Sequence, residues 1–289
     1  MAILATAGRD NGRRRTLQKR KSGFSFAVPA LLLIILFFVT PVLGLLLRSV
    51  TEPELGLQNY AELIGSGTYM RIFANTFLVA GVVTALSVVI GYPVAWALVV
   101  MPRYWSQVVF AIIILSMWTN LLARTYAWMV LLQRTGVINK TLMGLGLIDT
   151  PLTLVNNLVG VTIGMTYIML PFVILPLVGV IRSIDPAILR AGALCGANRL
   201  QCFTHILLPL SLPGVAAGAL MVFVMALGYY VTPALLGGTA NMMLAEMIAQ
   251  FVQSLVNWGM GGAAAFVLLV VTLLLYAVLL RFFGASRIG

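Results

Sequence analysis

A chain of 289 residues that is 61% hydrophobic and only 9% charged cannot cover its surface in water, because a soluble domain carries about 25% charged residues. That composition excludes an ordinary soluble domain and predicts a polytopic membrane protein. The net charge of +11 then reads as orientation across a lipid bilayer rather than as nucleic-acid binding, since Lys and Arg collect on the cytoplasmic side of membrane segments.

Residues 1–22 hold seven basic side chains, from Arg9 to Lys21, against the single acid Asp10, and read as a basic cytoplasmic tail. Residues 23–289 form the membrane domain. Six stretches in it are each long enough to cross a hydrocarbon core of about 30 Å as a helix of about 20 residues: 26–48, 75–100, 107–132, 157–181, 209–234 and 262–283. Asn75-Thr76 is a candidate cap for the second span. With this assignment, thirteen basic residues fall on one side and five (Arg48, Arg71, Arg124, Arg134 and Lys140) on the other, which predicts that both termini are cytoplasmic.

Between the spans, on the side opposite the tail, residues 51–72 contain a short amphipathic piece at Asn59–Ile64. Residues 133–156 read as a Gly- and Asn-rich loop, with Asn139-Lys140-Thr141 formally a glycosylation sequon. Residues 241–258 carry helical spacing at Leu244, Ile248, Phe251, Val252 and Leu255. Gly160/Gly164 and Gly214/Gly218 are small-xxx-small pairs that let membrane helices approach closely. Pro93, Pro171, Pro176 and Pro233 permit bends.

On the tail side, residues 182–208 form one long polar break. It holds Arg182, Arg190, Arg199, the only histidine of the chain and both cysteines, Cys195 and Cys202. Two cysteines and one histidine make neither a metal-site pattern nor a disulfide framework. Ala193, Ala197, Leu200, Phe203 and Leu207 recur at three- and four-residue steps, an apolar stripe on a short helix that Gly196 can break into two arms. Such a helix can lie in a groove of a partner protein or rest on lipid.

Sites of chemistry are absent from the pattern. There is no phosphate-binding loop and not even a Gly-Lys dipeptide, so no nucleotide is bound by that route. Paired intramembrane acids, which a proton-coupled carrier uses, are missing too. A self-sufficient secondary carrier is the alternative reading, and this absence weighs against it. Energy for transport is then expected from another subunit.

Two sequence resemblances sharpen the expectation. The segment LRAGALCGANRLQCFTHILLPLSLP resembles the EAA loop of ABC-importer membrane subunits, with Ala191, Gly196, Phe203, Ile206, Leu208, Pro209 and Pro213 matching. Arg190 stands where that pattern has Glu, and Gly192 where it has a second Ala. In that family the loop is the coupling helix seated in a cleft of the ATPase subunit. The resemblance therefore implies ATPase docking by Arg190, Ala191, Gly192, Ala193, Gly196, Ala197, Leu200 and Phe203. The run Trp118-Thr119-Asn120-Leu121-Leu122-Ala123-Arg124-Thr125-Tyr126-Ala127-Trp128 and the run Thr232–Gly238 are similar to the spermidine/putrescine-type permeases. Relatives of that group import opines, aminophosphonates and other small amines or acids.

These resemblances imply an all-α membrane protein with the type I ABC importer permease fold and six transmembrane helices. The function implied is that of a permease subunit, not an enzyme, importing a small polar solute that is polyamine-like or a related amine, opine, amino acid or aminophosphonate. The implied partners are two ATPase subunits, a second homologous permease and an extracytoplasmic substrate-binding protein. No cofactor is expected on this chain; ATP with Mg belongs to the ATPases.

Arg124 has two readings. Counted from Gln107 along one straight helix it lies about 25 Å along the span. There it is either a polar hinge or gate near the external mouth, or an interfacial anchor beside Trp118, Tyr126 and Trp128. Tyr167, Tyr229 and Tyr230 join Trp118 and Trp128 as aromatic faces that can receive a cation. A pathway for polycations is expected to carry acids, yet Glu246 is the only acid beyond Asp185.

Overall fold

The computed structural model describes residues 28–284, and its regular structure is helical throughout. The basic tail and Arg287 lie outside the described residues. In chain order the helices are α1 (Val28–Thr51), α2 (Gln58–Gly65), α3 (Gly67–Val100), α4 (Arg103–Trp118), α5 (Leu121–Leu132), α6 (Val137–Gly144), α7 (Leu158–Ser183), α8 (Pro186–Leu194), α9 (Arg199–Leu227), α10 (Val231–Leu236), α11 (Leu244–Gln253) and α12 (Trp258–Gly284). Five of them are long and apolar enough to span a membrane, and the bent pair beginning at α4 makes a sixth crossing.

The centre is a trio, α3, α7 and α9, that packs pairwise. These helices are apolar on every face, as membrane helices are, so their contacts are set by shape. Val79 and Val83 of α3, Met165, Met169 and Val173 of α7, and Val222 and Ala226 of α9 form one buried cluster. The expected small-residue pairs work as contact points. A Cβ on Gly218 would stand 3.0 Å from the Cα of Val173, and one on Gly164 would stand 2.8 Å from Leu236 Cδ1. Toward the loop end, Tyr92, Ala95 and Leu98 close against Ile174, Leu177, Ile181 and Leu207.

A second unit gathers at the other end, where Leu63, Ile72, Leu244, Met247, Phe251 and Met260 pack together. Helix α1 lies on α12. Its C-terminal end is tied down by Asn59, whose amide donates to the carbonyls of Ser49 (2.9 Å) and Glu52 (2.7 Å). Arg48 stacks 5.0 Å from the Trp258 ring and pairs with Glu52 at 3.6 Å.

Several expectations need correction. The third span is not one helix over 107–132: α4 ends at Trp118, and the chain restarts at Leu121 after a bend of 100°. Asn120 causes the restart, because its side chain accepts from the backbone N–H groups of Leu122 (2.8 Å) and Ala123 (3.3 Å), the bonds of an N-cap. The straight count that placed Arg124 therefore fails. The second span begins at Gly67, so Thr76 is no cap. It sits inside α3, donates to Ile72 O and accepts from the N–H of Leu244 at 2.8 Å. Residues 133–156 are not all loop, since they contain α6. Asn139 is fully buried, and its amide bonds the carbonyls of Gln133 and Leu152 and the N–H of Leu152; it clips this segment and is inaccessible for glycosylation. The fifth span begins in the polar break itself, at Arg199.

Candidate functional site

The loop between α7 and α9 is built from local rules. Asp185 caps α8 by accepting from Ala187 N at 2.8 Å, with Pro186 at the first helical position, where its missing N–H costs nothing. Helix α8 ends at Leu194. Gly196 takes φ +89°, a conformation open to glycine at no steric cost, and turns the chain. Asn198 and Gln201 then form a reciprocal capping box at 2.8 Å each way and start α9, satisfying two of its free N–H groups.

This geometry divides the expected docking residues. Arg190, Ala191 and Ala193 are exposed, and Leu200 is 70% exposed. Leu194, which the spacing did not single out, is 89% exposed and stands with Leu200 at the bend. Gly196 supplies the turn, and Ala197 is half-buried. Gly192 faces inward, where a Cβ would meet Ile206 Cδ1 and require that side chain to shift. Phe203 does not join the exposed face. It packs edge-on to Tyr92 at 5.5 Å and against Trp96 at 6.2 Å. Leu207 is buried. The single stripe expected from spacing is thus two faces, one outward and one inward, because the positive φ at Gly196 separates the arms. A wide π-helical turn over Phe203–Leu207 joins the arm to the span.

Tyr92 links this arm to the core. Its hydroxyl bonds Ser211 of α9 at 2.8 Å, and both side chains are buried. Beside them Arg182 donates to Ser106 Oγ at 3.3 Å, and Ser106 donates to Leu98 O at 2.6 Å, pinning the start of α4.

The broken third span holds the second candidate site. The 100° turn carries α5 across α10 and α7. Thr125 and Thr232 are both fully buried and bond at 3.3 Å. Thr125 already donates to Leu121 O, so Thr232 donates to Thr125. Trp128 lies 5.4 Å from the Tyr167 ring, and Tyr167 bonds Ser116 at 3.0 Å. Arg124 Nε and Thr166 Oγ1 are buried without a hydrogen-bond partner, and Tyr229 Oη is buried beside Thr232 within electrostatic reach of Arg124.

Of the expected pathway residues, the structure gathers Arg124, Trp128, Tyr167 and Tyr229 around the break. Trp118, at the break itself, is 86% exposed, and Tyr126 and Tyr230 are exposed as well. Thr125, Thr166 and Thr232 were missed, since three threonines in apolar runs carry no spacing signal. Unpaired donors beside hydroxyl and aromatic surfaces suit the passage of a polar solute more than its tight capture. Glu246 lies on α11 with Oε2 buried and unpartnered. Burial holds its carboxyl above the usual range, and the Met243 backbone N–H opposes this in part.

Residues 87–286 match the family model described as "Binding-protein-dependent transport system inner membrane component". The spermidine/putrescine transport system permease protein PotB of Escherichia coli K12 is 33% identical over 232 residues, covering 80% of this chain and 83% of that protein. Among solved structures, a bacterial ABC transporter involved in the import of the acidic polysaccharide alginate superposes with a TM-score of 0.76 at 18% identity, covering 95% of this chain and 98% of that one. The same kind of transporter in complex with an alginate pentasaccharide-bound periplasmic protein gives 0.74 at 18% identity, with 95% and 96% covered. The chain therefore belongs to the binding-protein-dependent inner membrane components: it is a multi-pass permease subunit of an ABC importer of the type I fold, resident in the cytoplasmic membrane and served by a substrate-binding protein.

Proposed function

We propose that this permease imports a polyamine-like solute, in the manner of its spermidine/putrescine relatives, and that α8, Gly196 and the first turn of α9 dock on an ATPase subunit. Both termini and this loop then face the cytoplasm, while α2, α6 and α11 meet the loaded binding protein outside. A second, homologous permease completes the pathway, and two ATPases carry ATP with Mg. The observation that carries the docking reading is the pair Leu194 and Leu200, the two large apolar side chains that flank the Gly196 bend and are exposed at 89% and 70%. Burying each in a partner's cleft contributes about 1.5–3 kcal/mol.

The broken third span serves as the movable gate in this reading. Its support is the unpartnered Arg124 Nε and Thr166 Oγ1 in the segment that follows the Asn120 restart and the helix beside it. Unpaired polar atoms in low dielectric are costly, so the arrangement favours a second conformation in which they find partners. Binding-protein docking shifts that equilibrium only by preferring one conformation.

The test is co-purification of the tagged complex in mild detergent, followed by uptake of labelled putrescine and spermidine in proteoliposomes with the binding protein. Recovery of the ATPase with the unmodified chain, and its loss with Leu194→Asp/Leu200→Asp, is expected. A well-folded chain that never retains an ATPase would overturn the docking reading, and a reconstituted importer inert to both polyamines would overturn the solute.

A further inference from the structure

A pathway for a polycation needs a place for positive charge, and this chain supplies few. Beyond Asp185 its sole acid is Glu246. Two observations set this carboxylate apart. Leu244, Met247 and Phe251 are the buried face of α11, and Glu246 lies about 200° round the helix from Leu244, where it is partly buried on the opposite face. Glu246 stands at the third position of α11, from which one carboxylate oxygen can reach back toward the Met243 N–H. The other, Oε2, is buried with no partner. No Lys or Arg pairs with Glu246 among the described residues, where the ion pair present is Arg48–Glu52.

The cap alone explains one oxygen. A neutral Gln at this helix position would reach back to Met243 as well, without the penalty of burying a charge that has no counter-charge. The second oxygen therefore asks for a cation. A metal ion is disfavoured, because no group of three or more candidate ligands occurs among the described residues and one carboxylate is a poor metal cage. A single carboxylate with one free oxygen instead suits a single ammonium group, which brings one charge and up to three donors.

We infer that Glu246 is the residue of this subunit that receives an ammonium group of the solute as it leaves the binding protein, and that it sets the preference for amines. This rests on the polyamine reading above. It gives α11 a part in selecting the solute, beyond that of an outer surface for the binding protein.

The experiment uses the complete importer in proteoliposomes, with saturating binding protein loaded with putrescine. Uptake, ATPase stimulation and thermal stability are measured for the unmodified chain, Glu246→Gln and Glu246→Asp. Because Gln keeps the cap and removes the charge, Glu246→Gln should slow uptake by about ten- to a hundredfold, the worth of a hydrogen bond to a charged group. Stimulated ATPase activity should hold and the melting temperature should not fall, and Glu246→Asp should recover part of the uptake. Uptake by Glu246→Gln at the unmodified rate would overturn the inference. So would a parallel fall in uptake, ATPase activity and stability, which marks a structural part. If the unmodified importer moves neither putrescine nor spermidine, the polyamine reading fails first, and the assignment of Glu246 goes with it.

Discussion

Two helix breaks in this permease are made by the same residue type and come to opposite uses. At Asn120 the chain turns by 100° with Trp118, Thr119 and Asn120 themselves exposed, and the restarted helix is held by Thr125–Thr232 and Trp128–Tyr167 contacts. At Gly196–Asn198 the chain turns on the surface, held by a capping box within its own segment, and leaves Leu194 and Leu200 outward. The first break is started by an exposed cap, and the helix after it is then fixed by tertiary contacts that bury Thr125 against Thr232. The second is fixed locally and offers its apolar atoms to a partner. An Asn cap starts a helix wherever the chain needs one; what surrounds the turn decides whether the result is a gate or a docking element.

Substitutions at the two breaks separate these uses. Leu194→Asp/Leu200→Asp should lower ATPase recovery by a hundredfold or more, given about 1.5–3 kcal/mol for each buried side chain, while the melting temperature of the isolated chain holds. If the melting temperature falls instead, the loop is part of the core and the contrast collapses. Gly218→Leu should destabilise the α7–α9 contact by about 1–3 kcal/mol or more, since Val173 backbone stands in the way; detergent melting curves check it. Asn120→Ala and Asn198→Ala each remove a cap worth about 1 kcal/mol. The first should lower the melting temperature of the whole domain. The second should leave it unchanged and reduce ATPase coupling alone. Equal melting shifts would show that the two breaks are not different in kind.

The smallest effect concerns pH. Burial raises the Glu246 carboxyl, so its ionised form is disfavoured in the folded chain relative to the unfolded one. The resulting loss of stability is present at neutral pH and disappears as the pH falls through the raised folded value toward the ordinary one. Glu246→Gln should therefore melt slightly higher than the unmodified chain near pH 7, without solute, and the difference should vanish on acidification. A difference that grows on acidification would contradict the burial of this charge.

Much of this was legible in the residues. Apolar runs near 20 residues located every span, and the polar break marked the loop between α7 and α9. The spacing of Leu244, Ile248 and Phe251 located α11. The 100° bend was hidden because apolar periodicity runs through it unbroken. Its signal was Asn120 two and three residues before Leu122 and Ala123, a cap pattern outweighed by the hydropathy around it. The inward turn of Phe203 was hidden because spacing assumes one continuous helix, and a positive φ at Gly196 breaks that assumption. The Thr125–Thr232 bond joins residues 107 apart, and nothing local in one sequence points across such a distance.

The attachment of Tyr92 to Phe203 and Ser211 carries a mechanical consequence. Helix α9 runs from the exposed arm through the π-helical turn and the span, about 42 Å from Arg199 to Leu227 at 1.5 Å per residue. Its tether to α3 sits about 18 Å from the arm's tip and about 24 Å from the far end, on the same rise. Beyond the tether, Val222 and Ala226 are buried and Gly218 lies against Val173, so the far half of α9 is fixed to α3 and α7. The exposed arm is thus joined to the packed body through the hydroxyl and ring of one tyrosine.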